Sequence, residues 1–140
     1  MPIRRTPAAV TAPAPALGLW ALHDLHRRHY LAYAALLLSP AEARLAVQGA
    51  FEDLAGRWLE ALATASPAAC AWQAVRDRVC TLAGPRTLGP VAHLTAPQQD
   101  VLLLHLALDL PADRIAALTG TEPAAVHARL RSLASARRPG

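Results

Sequence analysis

The chain has 140 residues, enough for one ordinary domain or two very small ones, and 54% of them are hydrophobic against 17% charged. Aromatics make up only 4%, and a core dominated by Ala and Leu suits close-packed helices better than sheets, which favour β-branched and aromatic residues. The formal charge is +4, with Arg as every basic residue. No CxxC is present, and the apolar run Leu31 to Leu38 falls short of the ~20 residues needed to cross a bilayer.

Residues 1–18 read as a disordered tail. Arg4-Arg5 resembles the start of some export signals, but Pro7, Pro13 and Pro15 interrupt any apolar helix behind it, which argues against a signal peptide. A first helix is expected from about Leu19 to Leu38, with Leu22, Leu25, Tyr30, Tyr33 and Leu37 on one broad apolar stripe. His23, His26 and His29 share one side of it with no Cys or Glu to complete a metal shell, and read as a solvated face. Ser39-Pro40 then caps and opens a second helix, Pro40 to about Ala63, striped by Val47, Phe51, Leu54, Trp58 and Leu62. Ser66-Pro67 repeats the signal for a third, through about Leu82, with Trp72, Val75, Val79 and Leu82 apolar. Cys70 and Cys80 fall on that helix, ~15 Å apart at ~1.5 Å per residue, beyond disulfide reach; they read as reduced thiols of a cytoplasmic protein.

Gly84, Pro85, Gly89 and Pro90 make residues 83–93 a short linker. Three further helices are expected, about Ala96–Leu108, Pro111–Thr119 and Pro123–Ala136. Ile115, Leu118, Val126, Leu130 and Leu133 can close a small three-helix core, and Gly120 can take a positive-φ turn before the last helix. Charge is polarised along the chain. Residues 123–140 carry Arg129, Arg131, Arg137 and Arg138 and no acid, whereas nine acids and six Arg lie between Ser39 and Glu122. A helix-turn-helix ending in an acid-free, Arg-bearing helix is the pattern of a polyanion-binding module. The fold expected is therefore all-α: a helical domain at 19–82 and a helix-turn-helix domain at 94–138, joined by the linker.

The order of these motifs resembles the extracytoplasmic-function group of bacterial RNA polymerase sigma factors, over about Leu19 to Arg138. The likeness to their region 4 is carried by Leu94, Gln98-Gln99, Val101 to Leu104, Leu110, Ile115-Ala116, Leu118, Gly120, Val126 and Arg129-Leu130. In region 2 it is carried by Gln48, Phe51, Ala71-Trp72, Val75, Arg76 and Asp77. There the family's acidic position is Leu45, with Arg44 beside it, and only Arg86 remains of a usual basic run.

The resemblance implies a transcription protein in the cytoplasm whose partners are promoter DNA, core RNA polymerase and an anti-sigma or other regulatory protein. It implies polymerase contact through Gln48, Phe51 and Glu52, and contact with the −10 element through Trp72, Arg76 and Arg78. Trp72, on its apolar stripe, reads more simply as core. DNA binding, at the −35 element in the family, falls to His127, Arg129, Arg131, Ser132, Arg137 and Arg138. Pro123, Ala124, Ala125 and Ala128 occupy the start of the recognition helix and cannot hydrogen-bond a base, so phosphate contact should dominate affinity. The alternative is a degenerate sigma-like module that regulates by binding another protein without opening promoters. No paired carboxylates, nucleophile–base set, phosphate loop or metal cluster points to an enzyme, and no cofactor is expected.

Overall fold

The computed structural model describes residues 13–84 and 94–137, with side chains described for 17–84 and 94–135. Every regular element among them is helical. Helix α1 spans Pro13–Ala35, so residues 13–18 belong to it and not to the expected tail; residues 1–12 lie outside the described residues. Prolines are tolerated at this start because the first N–H groups of a helix have no intrahelical acceptor.

Helix α2, Pro40–Ala55, begins with a capping box: Ser39 Oγ accepts from the Glu42 amide at 3.2 Å and the Ser39 amide donates to Glu42 Oε1 at 3.1 Å. The single helix expected to run on to Ala63 is broken at Gly56-Arg57, where the Arg57 amide turns back to the Leu54 carbonyl. The short α3, Trp58–Leu62, follows. The break shifts the helical phase, so Trp58 stays buried while Leu62 of the expected stripe is exposed. Leu25 and Leu82 are likewise exposed: each lies one residue, about 100° of helix, off the buried rows Leu19–His26–Tyr30–Tyr33 and Ala71–Val75–Val79–Ala83.

Helix α4, Pro67–Ala83, is capped by Ser66, whose Oγ accepts from the Ala69 amide at 3.1 Å. Helix α5, Ala96–Leu102, starts from a second capping box, Thr95 with Gln98, and continues as a π-helical turn over Leu103–Ala107. Helices α6, Ala112–Thr119, and α7, Pro123–Arg137, complete the chain.

Helix α4 is the hub: it packs against α1, α2, α3 and α6, and α7 closes on α5 and α6. Tyr30, Tyr33, Phe51, Leu54, Val75 and Val79 are fully buried in the first half, and Leu104, Ile115, Leu118 and Val126 in the second. These side chains form one continuous cluster across both halves. One contact between the halves brings backbone against backbone. Gly120, at φ 71° and ψ 32°, leaves no room for a Cβ, which would lie against the Ala69 amide nitrogen and 2.6 Å from both Ala69 Cα and Ser66 Oγ. The turn between α6 and α7 is thus seated on the capped start of α4.

Candidate nucleic-acid interface

Helices α6 and α7 are joined by a turn that is fixed locally. The Gly120 and Thr121 amides both return to the Ala116 carbonyl, at 2.9 and 3.1 Å, and Thr119 Oγ1 donates to the Ile115 carbonyl at 2.8 Å. Helix α7 buries Val126 and Leu133 and half-buries Leu130. Its outward face carries Ala124, His127, Ala128, Arg131 and Ser132, all exposed, with no acid after Glu122. Three of the expected DNA contacts, His127, Arg131 and Ser132, therefore share one open surface. The Arg137 side chain and Arg138 lie outside the described residues.

Arg129 is placed differently. It is half-buried and lines a cleft of about 230 Å³ between the halves, together with Trp72, Arg76, Asp100 and Thr121. At the base of the cleft Asp100 is nearly fully buried and collects donors from the first half. Trp72 Nε1 donates to Oδ2 at 2.8 Å, and Arg76 Nε donates to Oδ1 at 2.9 Å and Oδ2 at 3.1 Å. Arg76 Nη2 also donates to Gln99 Oε1 at 2.7 Å. Burial pushes the Asp100 carboxyl above its ordinary range, against the pull of the Trp72 N–H and the Arg76 guanidinium. For Arg76, burial works against the charge, but the Asp100 carboxylate and its hydrogen bonds hold the guanidinium's pKa above the usual value.

This geometry corrects the expectation for the −10 residues. Trp72 is only 5% exposed and lies against Tyr33, with ring centroids 4.6 Å apart, so it is a core residue and not a platform for bases. Arg76 is committed to Asp100 and Gln99. Arg78 is at the surface in a bidentate pair with Asp53, both bonds 2.8 Å, which holds the Asp53 carboxyl below its ordinary range. The pair is open to solvent and screened, so it stabilises little and leaves Arg78 available to a competing anion. Asp100 carries little signal in the sequence. Its one signal is a lone acid four residues before Leu104, in phase with the buried row of an apolar segment.

Of the three residues expected to touch polymerase, Gln48 and Glu52 are exposed on α2 and hydrogen-bonded to each other at 3.3 Å. Phe51 is fully buried and cannot be a contact residue. It stands inside an aromatic cluster with Trp20, His23 and Tyr30, at centroid distances of 6.3, 4.9 and 5.5 Å. The expected solvated histidine face is corrected as well: His26 is buried against Tyr30, and His23 lies edge-on to Phe51. Tyr30 and Tyr33 of the expected stripe are buried, but the row they belong to continues through His26 and leaves Leu25 exposed. Burial, with His29 and Arg114 nearby, holds the His26 imidazole below its ordinary pKa. Cys70 and Cys80 are free and half-buried on α4. Among the described residues no group of three His, Cys, Asp or Glu could hold a metal ion, and no helix is long and apolar enough to cross a membrane.

No protein-family model matches the chain, and no curated protein or solved structure matches it either.

Proposed function

We propose that this chain is a sigma-factor-like transcription protein that binds DNA through α6 and α7 and meets core RNA polymerase through the exposed side of α2. The observation that carries the reading is the helix-turn-helix with Gly120 in the left-handed turn and an acid-free outward face bearing His127, Arg131 and Ser132. His127, Arg131 and Ser132 are the side chains on that face able to hydrogen-bond a base edge or a phosphate, and only Arg131 carries a fixed charge, so affinity rests on the backbone and sequence preference is shallow. Gln48 and Glu52, beside exposed Leu45, offer the polymerase patch.

A second reading, a sigma-like module that binds its partner without opening promoters, is favoured by one observation. Trp72 and Arg76, the residues that would capture unpaired bases, are tied to Asp100. Two experiments test these readings. Polarisation of a labelled 30-mer duplex across a salt series should give an Arg131→Ala variant with weaker binding on all sequences and a log–log salt slope reduced by about 0.9. An unchanged slope would remove α7 as the DNA surface. Core polymerase capture, followed by transcription from closed and pre-opened templates, separates the two readings: initiation from both supports the sigma factor, and capture without opening supports the module.

A further inference from the structure

Of the chain's three Trp, two Tyr and one Phe, five are at most 5% exposed, whereas Trp20 is 44% exposed. Trp20 lies in a groove of about 340 Å³ between α1 and α2, with His23, Arg27, Arg44 and Gln48 around it. The indole is held from behind by Phe51, nearly parallel at an interplanar angle of 28°, and edge-on by His23 with centroids 5.3 Å apart. Packing on the core therefore restrains the ring while leaving part of it open. Arg27 and Arg44 come from opposite walls of the groove, both are exposed, and neither makes an ion pair among the described residues. Arg78, by contrast, is paired with Asp53. Arg44 also stands beside the position where the resemblance leads one to expect an acid. The charge of this surface is thus the reverse of that expectation.

A restrained, part-open aromatic ring flanked by two unpaired guanidiniums is the arrangement that takes an unstacked nucleobase and its phosphates: stacking tolerates any base, and the cations follow the backbone. The groove, at about 340 Å³, is roomy enough for one nucleotide.

We propose that this groove binds single-stranded nucleic acid, with one base on Trp20 and adjacent phosphates on Arg27 and Arg44. The proposal rests on the reading of the chain as a DNA-binding transcription protein. It supplies at α1–α2 the base capture that Trp72 and Arg76 are not placed to perform.

The test is polarisation of labelled oligo-dT of twelve nucleotides at low salt, with each variant's fold checked by circular dichroism and melting. Trp20→Ala should weaken binding by about ten-fold, Trp20→Phe should recover much of the loss, and Arg44→Glu should nearly abolish it. The Phe and Glu variants keep the test decisive if removing the indole loosens the Phe51 cluster. Absence of oligo-dT binding by the wild type, or full affinity in folded Trp20→Ala, overturns the proposal. So does polyglutamate competing as well as oligo-dT, which would mean charge alone. If thymidine monophosphate competes at equal concentration, the site is one for free nucleotides and the strand reading falls. The duplex assay on Arg131→Ala is independent: loss of duplex binding there, with oligo-dT binding intact, separates failure of one site from failure of the other.

Discussion

Replacing Gly120 by alanine puts a methyl group where the α6–α7 turn rests on the first turn of α4. Two costs follow. The residue is in the left-handed region at φ 71°, which charges an L side chain roughly 1–2 kcal/mol. The new Cβ also meets the Ala69 amide nitrogen, Ala69 Cα and Ser66 Oγ. Most of that is backbone, which cannot swing aside as the end of a flexible side chain does, so the turn and α4 must separate. Overpacking of this kind costs about 1–3 kcal/mol. The sum is about 2–5 kcal/mol, equivalent to a fall of about 1–2.5 M in the urea midpoint at a slope of roughly 2 kcal/mol/M. Gly120→Asn divides the two contributions, because Asn tolerates the left-handed conformation but still carries the Cβ. It should recover the roughly 1–2 kcal/mol of conformational cost and keep the overpacking cost of about 1–3 kcal/mol. Gly56→Ala is the control: that residue is exposed at φ −68° with its nearest foreign atom at 3.5 Å, and the change should be neutral or slightly stabilising. Urea denaturation followed by circular dichroism reads all three. A Gly120→Ala loss below about 1 kcal/mol, or full recovery by Asn, would refute the claim that the two halves are held at this contact.

Two further changes test the core. The Tyr30 hydroxyl is fully buried without a hydrogen-bond partner among the described residues, and burial drives its pKa upward. Tyr30→Phe should therefore leave stability unchanged or raise it by up to ~1–3 kcal/mol, and a measured loss in urea would reveal a missing partner. The His26 imidazole is held below its ordinary pKa of 6.5, so folding favours the neutral ring. Stability should be full above about pH 6.5 and should decline as the pH falls through the lowered value, because the unfolded chain takes up the proton first. Melting temperatures between pH 8 and 5 should show this decline, and the decline should shrink in His26→Asn; an identical profile in the variant would assign the titration elsewhere.

Much of the architecture is legible in the residues because the signals are local. Ser39-Pro40, Ser66-Pro67 and Gly120 mark boundaries by capping and turn chemistry, and each acts where expected. The Ile115, Leu118, Val126 and Leu133 core follows from periodicity alone. Periodicity fails where helices are imperfect. Gly56-Arg57 resets the phase and ejects Leu62, and an Ala- and Leu-rich α1 offers two adjacent stripes, of which the structure buries the one containing His26. Prolines near Pro13 read as breakers but fall where a helix needs no donor. The candidate site divides in the same way. His127, Arg131 and Ser132 were legible as an outward face because α7 is regular. The fate of Trp72, Arg76 and Arg129 was not, because it depends on a carboxylate 24 residues beyond Arg76, a separation that no helical spacing encodes.

That carboxylate bears on how the chain can be divided. Asp100 belongs to the C-terminal half, yet the hydrogen bonds that neutralise and orient it come from Trp72 and Arg76 of the N-terminal half. A fragment containing only residues 94–138 would leave that carboxylate to water in place of the Trp72 and Arg76 donors. A fragment ending at Gly84 would leave an indole N–H and a guanidinium facing solvent from an apolar wall. Each excised piece is thus a different molecule from the half it came from.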